Sequence, residues 1–242
     1  MSASDKALYL FKIPPMISLK RATEADADFV VKAIIEAEKS GTDKLSYATM
    51  FGLTEAEVAE ILKSAVLEDI PGQELCLSGF MIAFIDEVAS GAVCSWIEAA
   101  EEIPSSLLKA NILYHFLGTE KLAKAGENSS LLEQINIPRE AGTIQIESVF
   151  VNNKFRGLGV SNKLILELIK DTLLNSPGVN KIQIQLAATN QPALRSYEKL
   201  GFRTVATRHC EDVRILQFLP SDTKIMMELS VGDLITQGLL KI

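Results

Sequence analysis

The chain has few of the residues that staple, ligate or bind polyanions. Its three cysteines, Cys76, Cys94 and Cys210, are scattered and odd in number, with no Cys-x-x-Cys pair. A disulfide framework or a structural zinc site is therefore not expected, and a reducing compartment fits. Histidine is nearly absent: His115 and His209 lie far apart in sequence, form no metal-like cluster, and no metal is expected. Positive charge is in deficit, with 24 Lys and Arg against 31 Asp and Glu for a formal charge of −7. That balance argues against the basic face of a nucleic-acid-binding surface. No run reaches the ~18 apolar residues expected of a membrane span. The opening MSASDKALYLFKIPP has one short apolar patch, interrupted by Lys12 and closed by Pro14-Pro15, which is not a signal-peptide pattern. A soluble cytoplasmic protein is expected, with neither nucleic acid nor membrane as partner.

The standard phosphate and nucleophile motifs are missing too. There is no G-x-x-x-x-G-K-[S/T] and no G-x-S-x-G, and a dinucleotide fingerprint would need glycine at 162, where Asn162 stands.

What is present is a chain of 242 residues, 48% of them apolar, enough to bury a substantial core. A strand is predicted from Ile17. A helix follows at Thr23 with Asp26 three residues on, and a second at Thr54, where Glu57 completes a capping box. Strands at 80–85 and 89–97 read as a hairpin across Asp86 and Glu87. Residues 98–141 mix acids, helical spacing and breakers, and read as a helical insertion. Order resumes with a strand at 143–151, a helix at about 158–174 and an alternating strand at 181–187. A short helix then runs from the Asn190 cap to Gly201, and two strands close the fold near 202–208 and 224–229. The fold class expected is α/β, a mixed sheet flanked by helices. The organisation is an N-terminal extension (1–16), one domain (17–230) with the insertion inside it, and an apolar tail (231–242). That tail, with Leu234, Ile235, Leu239, Leu240 and Ile242, is expected to pack on the body or on a second subunit, a homodimer being favoured.

The stretch VFVNNKFRGLGVSNKL (149–164) carries the chemistry. Helix-start amides lack intrahelical partners and the helix dipole adds positive character there, so a strand–glycine-loop–helix unit can cradle a pyrophosphate. Gly157 and Gly159 could equally serve only a tight turn. Arg156 adds a cation at the edge. The alternation of Ile144 and Ile146 changes phase at Val149 and Val151, which predicts a bulge near Glu147–Ser148.

Two patterns together resemble the GNAT (Gcn5-related N-acetyltransferase) superfamily. Arg156-Gly157-Leu158-Gly159-Val160-Ser161 is similar to the loop [Q/R]-x-x-G-x-[G/A], with Ser161 in place of the last small residue. Asn190, Ala193, Tyr197, Gly201 and Phe202 meet N-x-x-A-x-x-x-Y-x-x-x-G-F. The resemblance implies splayed central parallel strands and an acetyl-CoA cosubstrate. Pantetheine would run along Val149, Phe150 and Val151, and the pyrophosphate would sit on Gly157, Leu158, Gly159, Val160, Ser161 and Asn162 beside Arg156, with Asn190, Ala193 and Tyr197 also at the cofactor. It implies acetyl transfer to a primary amine by direct attack in a ternary complex, the acceptor being a small molecule or a peptide. A backbone N–H near Val151 is the expected oxyanion donor. Tyr197 is the candidate general acid, because a phenol with pKa ~10 stays protonated at neutral pH. Glu147 is the candidate base, read as sharing the face of Val149 and Val151. Glu98, beside Trp96, is the second choice, and Glu98, Glu101 and Glu102 form a candidate amine-attracting rim. The alternatives are a non-catalytic acyl-CoA-binding regulator of the same fold and an ordinary nucleotide-binding domain.

Overall fold

The computed structural model describes residues 16–240; all but Met16 of the expected N-terminal extension, and residues 241–242 of the tail, Ile242 among them, lie outside the described residues. The strands are β1 (Ile17–Arg21), β2 (Phe80–Ile85), β3 (Val88–Ile97), β4 (Ile144–Val151), β5 (Lys181–Ala187), β6 (Arg203–His209) and β7 (Thr223–Ser230). The helices are α1 (Ala27–Glu38), α2 (Ser46–Phe51), α3 (Glu55–Leu67), α4 (Ser105–Gly126), α5 (Ser129–Ile135), α6 (Val160–Asn175), α7 (Gln191–Leu200) and α8 (Val231–Thr236). One sheet holds all seven strands in the order β1-β2-β3-β4-β5-β7-β6. Among the described residues only β4 and β5 pair in parallel.

Local chemistry explains most boundaries. Asp86 and Glu87 both take positive φ, 48° and 64°, the turn form that matches the twist of a two-residue hairpin between β2 and β3. Thr54 accepts from the Glu57 amide, and the Glu57 carboxylate accepts in return from the Thr54 amide, at 3.2 and 2.8 Å. Asn190 caps α7 by accepting from Ala193, and Gly201 ends it at φ 98°. The helix expected from Leu158 begins instead at Val160, because Gly159 sits at φ 77° as its N-cap. The short α2 and α8, unforeseen in the sequence, span six residues each, less than two turns and too few for a periodic signal. Residues 98–141 form α4, broken at Gly118 (φ 73°, ψ 173°), and α5.

Two cores sandwich the sheet. On one face Phe80, Ile82, Ala92, Cys94, Trp96 and Phe150 pack against α1 to α4. On the other, Ile144, Ile146, Ile182, Ile184 and Met227 meet α6, α7 and the end of the chain, with Leu234 and Leu240 buried on the body. Helix α6 presents Val160, Leu164, Ile165, Leu168, Ile169 and Leu173 to this core, a single helical stripe. It comes close to β3 at Gly91, where a Cβ would stand 2.7 Å from the Phe150 carbonyl oxygen and 3.1 Å from Val160. No larger residue fits there.

Candidate functional site

The site begins with the bulge. Ala92 faces Phe150 and Cys94 faces Glu147, so Val93 opposes both Ser148 and Val149. Ser148 takes the strain at φ 53°. The extra residue exchanges the faces of β4. Val149 and Val151 join the core of Ile144 and Ile146, whereas Phe150 turns to the opposite core, edge-on to Phe29 at 6.1 Å. Glu147 therefore does not share a face with Val149 and Val151, as simple alternation suggested. It points to the α1–α4 side, beside Arg139 and Glu74.

Beyond the bulge the parallel pair comes apart. Strand β4 pairs with β5 only from Ile144 to Ile146, while β5 keeps its partner β7 along its whole length. The Asn152 amide donates to Ser90 on β3. Alternation in an antiparallel pair then turns the polar groups of Val149 and Val151 away from β3, toward the gap. At the mouth of this gap lies the loop 156–162. Gly157 and Gly159 have φ 80° and 77°, and a Cβ on either would meet nothing within 4 Å. None of the backbone amides from Gly157 to Asn162 has a hydrogen-bond acceptor among the described residues. Arg156 donates from Nε to the Val151 carbonyl at 3.3 Å, which ties its guanidinium to the end of β4. Ser196 donates to the Asn162 side chain at 3.4 Å, tying the first turn of α6 to α7. Unbonded amides, a positive helix end and open space fit a pyrophosphate.

A cavity of about 600 Å³ opens within the splay, and its walls include Glu147, Val149, Asn190 and Tyr197. The loop 156–162, Val151 and Ala193 stand outside these walls, and Phe150 reaches no further than its own core. Ionic side chains line the cavity from α1, α4, α5, β4 and β7 and from the loops that carry Glu74 and Arg139. Glu74 pairs with Lys109 of α4 and, at 3.4 Å, with Arg139. Arg139 also pairs with Glu147 at 2.7 Å and stacks its guanidinium 5.2 Å over the Trp96 ring. Burial opposes ionisation of Glu74, yet Lys109 and Arg139 hold it at about 2. Burial pushes Glu147 up to about 7, with Glu74 adding to the rise and Arg139 opposing it. The 24% of the Glu147 side chain left accessible faces this cavity. Tyr197 is 6% exposed; burial, and then the Glu147 charge, raise its pKa above the ordinary phenol value. It enters the cavity protonated.

The second-choice base is misplaced. Glu98 is 4% exposed and accepts from the Trp96 indole at 3.0 Å and from the Ser105 amide at 2.9 Å. It caps α4 and orients the indole beneath Arg139, and it does not reach the cavity. Glu101 and Glu102 do not line it either. The residues that sequence reading missed are Glu38, Tyr47, Glu74, Lys109, Arg139 and Lys224. They are spread over 187 positions (38 to 224) with no shared spacing, so only the fold assembles them. Among the described residues no group of three metal-binding side chains occurs, and no helix is long and apolar enough to cross a membrane.

Comparison with known proteins agrees with this geometry. The model of the Acetyltransferase (GNAT) family matches residues 53–202. No curated protein matches the sequence. Among solved structures, an N-acetyltransferase from Staphylococcus aureus Mu50 superposes at TM-score 0.58 with 14% identity, over 88% of this chain and 100% of that one. An agmatine N-acetyltransferase variant in its apo form reaches TM-score 0.53 at 15% identity, over 89% and 99% of the two chains. A protein described only as an acetyltransferase reaches TM-score 0.53 at 16% identity, over 88% and 99%. At such identities the likeness is one of fold: the mixed sheet with helices on both faces.

Proposed function

The chain belongs to the GNAT acetyltransferase family, and we propose that it moves an acetyl group from acetyl-CoA to the nitrogen of a primary amine by direct attack in a ternary complex. Membership carries acyl-CoA-dependent acetyl transfer in general; the donor, the nitrogen acceptor and the residue roles are our reading. One observation carries it. Glu147 and Tyr197, the base and acid expected from sequence, line the same cavity at the point where β4 leaves β5.

Acetyl-CoA supplies the acyl group as an activated thioester. The amides of Gly157–Asn162, the α6 terminus and Arg156 bind its pyrophosphate. The outward groups of Val149 and Val151 hold the pantetheine as if it were an added strand, and the amide near Val151 donates to the oxyanion. Asn190 and Ala193 shape the α7 side of this channel. Glu147 accepts the proton of the incoming ammonium. Against a free amine of pKa ~10.4, a carboxylate near 7 is a weak base. The surrounding Arg139 and Lys224, with burial, narrow that gap by disfavouring the ammonium. Tyr197 hydrogen-bonds the departing thiolate and gives it a proton, which the nitrogen replaces as the tetrahedral adduct collapses.

The test is thiol release with acetyl-CoA against a panel of amines, repeated with Glu147→Gln. Transfer that needs Glu147 is expected. Tight acetyl-CoA binding with no release on any amine would favour the acyl-CoA-binding regulator instead. The acceptor is a small molecule or a peptide end, given a cavity of about 600 Å³. We place the protein in the cytoplasm, since all three cysteines are free and buried. We read 17–230 as one domain with 98–141 inserted, and the tail, with Ile235 and Leu239 exposed at 49% and 41%, as a homodimer contact.

A further inference from the structure

This inference rests on the acyl-transfer reading and concerns which amine the cavity takes. Seven ionic side chains line the cavity; Glu133 is solvent-exposed at its edge, and of the other six, four neutralise one another: Glu74 with Lys109 and Arg139, and Arg139 with Glu147. Two are left over, one of each sign. Lys224 enters from β7, opposite Ala187 in the ladder, and forms no ion pair among the described residues although it lines the cavity. Glu38, at the last position of α1, forms no ion pair among the described residues and has the Ser46 side chain as a hydrogen-bond partner.

Both carry the mark of an unmet charge. Burial pulls the Lys224 ammonium down, with the Glu147 charge opposing the fall. Burial pushes the Glu38 carboxyl up, in spite of Lys109 and Lys224. The two feel each other's field yet do not pair. A simple amine, arriving as an ammonium, would satisfy Glu38 and worsen the position of Lys224, adding a fourth cation to the cavity. A ligand with both signs satisfies both.

We propose that the acceptor is amino-acid-like, its ammonium entering between Glu38 and Glu147 and its carboxylate received by Lys224. Lys224 is then the residue that selects the substrate class. It takes no part in the proton transfers, and its ammonium anchors the acid group so that the neighbouring nitrogen faces the thioester. A chain lysine with no fixed partner is free to close on a carboxylate. Charged hydrogen bonds of this kind discriminate strongly, because the ligand that lacks the group leaves a buried ion alone.

The experiment compares matched acceptors: lysine with cadaverine, phenylalanine with phenethylamine, and phenylalaninamide as the form that keeps the shape and loses the acid. Thiol release with acetyl-CoA gives kcat/KM for each. The acids are expected to exceed their decarboxylated and amidated partners by about tenfold or more. In Lys224→Met that ratio falls toward one, and in Lys224→Arg it is largely kept. Decarboxylated amines that match or surpass the acids, or a Lys224→Met that lowers both members of each pair alike, would overturn the proposal. If no amine is acetylated at all, calorimetric binding of the same acceptors to the CoA complex separates the two claims. Carboxylate-dependent binding lost in Lys224→Met upholds the pocket and removes the transferase reading; binding indifferent to the carboxylate removes the proposal. Equal melting temperatures for the native protein and both variants exclude misfolding as the cause.

Discussion

Glu74 is expected to control the pH at which the protein works, without touching substrate. Glu74 and Glu147 both contact the same Arg139 nitrogen, at 3.4 and 2.7 Å, so their oxygens stand no more than about 6 Å apart. At that distance and an effective dielectric of about 20, two like charges repel by ~2.8 kcal/mol, or ~2 pKa units. Glu74 is ionised at any working pH, held at about 2 by Lys109 and Arg139. Its charge is thus always present when Glu147, at about 7, titrates.

The sign follows directly. Glu147 must be ionised to accept a proton, so kcat/KM falls by about tenfold per pH unit below its pKa. Glu74→Gln removes the repulsion and leaves Arg139 and Lys109 to favour the Glu147 carboxylate. Its pKa drops by up to ~2 units, and the acid limb of the profile moves to lower pH. The assay is thiol release across pH 5 to 9 (roughly the range in which the limb must fall), with melting temperature followed beside it. Glu147→Gln should abolish the limb and slow turnover by about 100-fold or more. A limb that stays in place in Glu74→Gln, or moves to higher pH, would refute both the assignment of Glu147 as base and the charge argument.

Tyr197→Phe keeps the ring and its packing against Phe202, 6.0 Å away, and should lower kcat by about 100-fold with little change in KM. A rise in the acetyl-CoA KM alone would make it a binding residue, and a large loss of stability a core residue. Acetyl-CoA should raise the melting temperature more than NAD or ATP does, and Gly159→Val, forced to φ 77° with a side chain in the cradle, should lose that shift; normal CoA binding by the variant would remove the cradle. Glu98→Ala should cost about 2–3 kcal/mol in a denaturant titration, by orphaning the Trp96 indole and the first amide of α4. An unchanged midpoint would deny the capping role.

The parts of the fold that were legible in the sequence are those fixed by neighbours in the chain. The Thr54–Glu57 box, the Asn190 cap, the Gly201 stop and the alternation of Ile182, Ile184 and Leu186 are local, and each marks an element the structure contains. The bulge at Ser148 was legible too, because a phase change in alternation needs only β4 itself. An added residue reverses which face each later side chain takes, so Glu147 and Val149 part company across it. This is why the Glu147 side chain meets Arg139 and Glu74 while the side chains of Val149 and Val151 join the opposite core, with their backbone groups open at the strand edge between the two faces. The acceptor side of the cavity was illegible for a different reason. Glu38, Glu74, Lys109, Arg139 and Lys224 come from five separated segments, and nothing in the spacing of one constrains another. On its own, each is an ordinary charged residue in an acidic chain. Their meaning lies in the charge balance of a shared enclosure: apart from the solvent-exposed Glu133, two cations and two carboxylates are settled among themselves, and one of each sign is left for the ligand to complete.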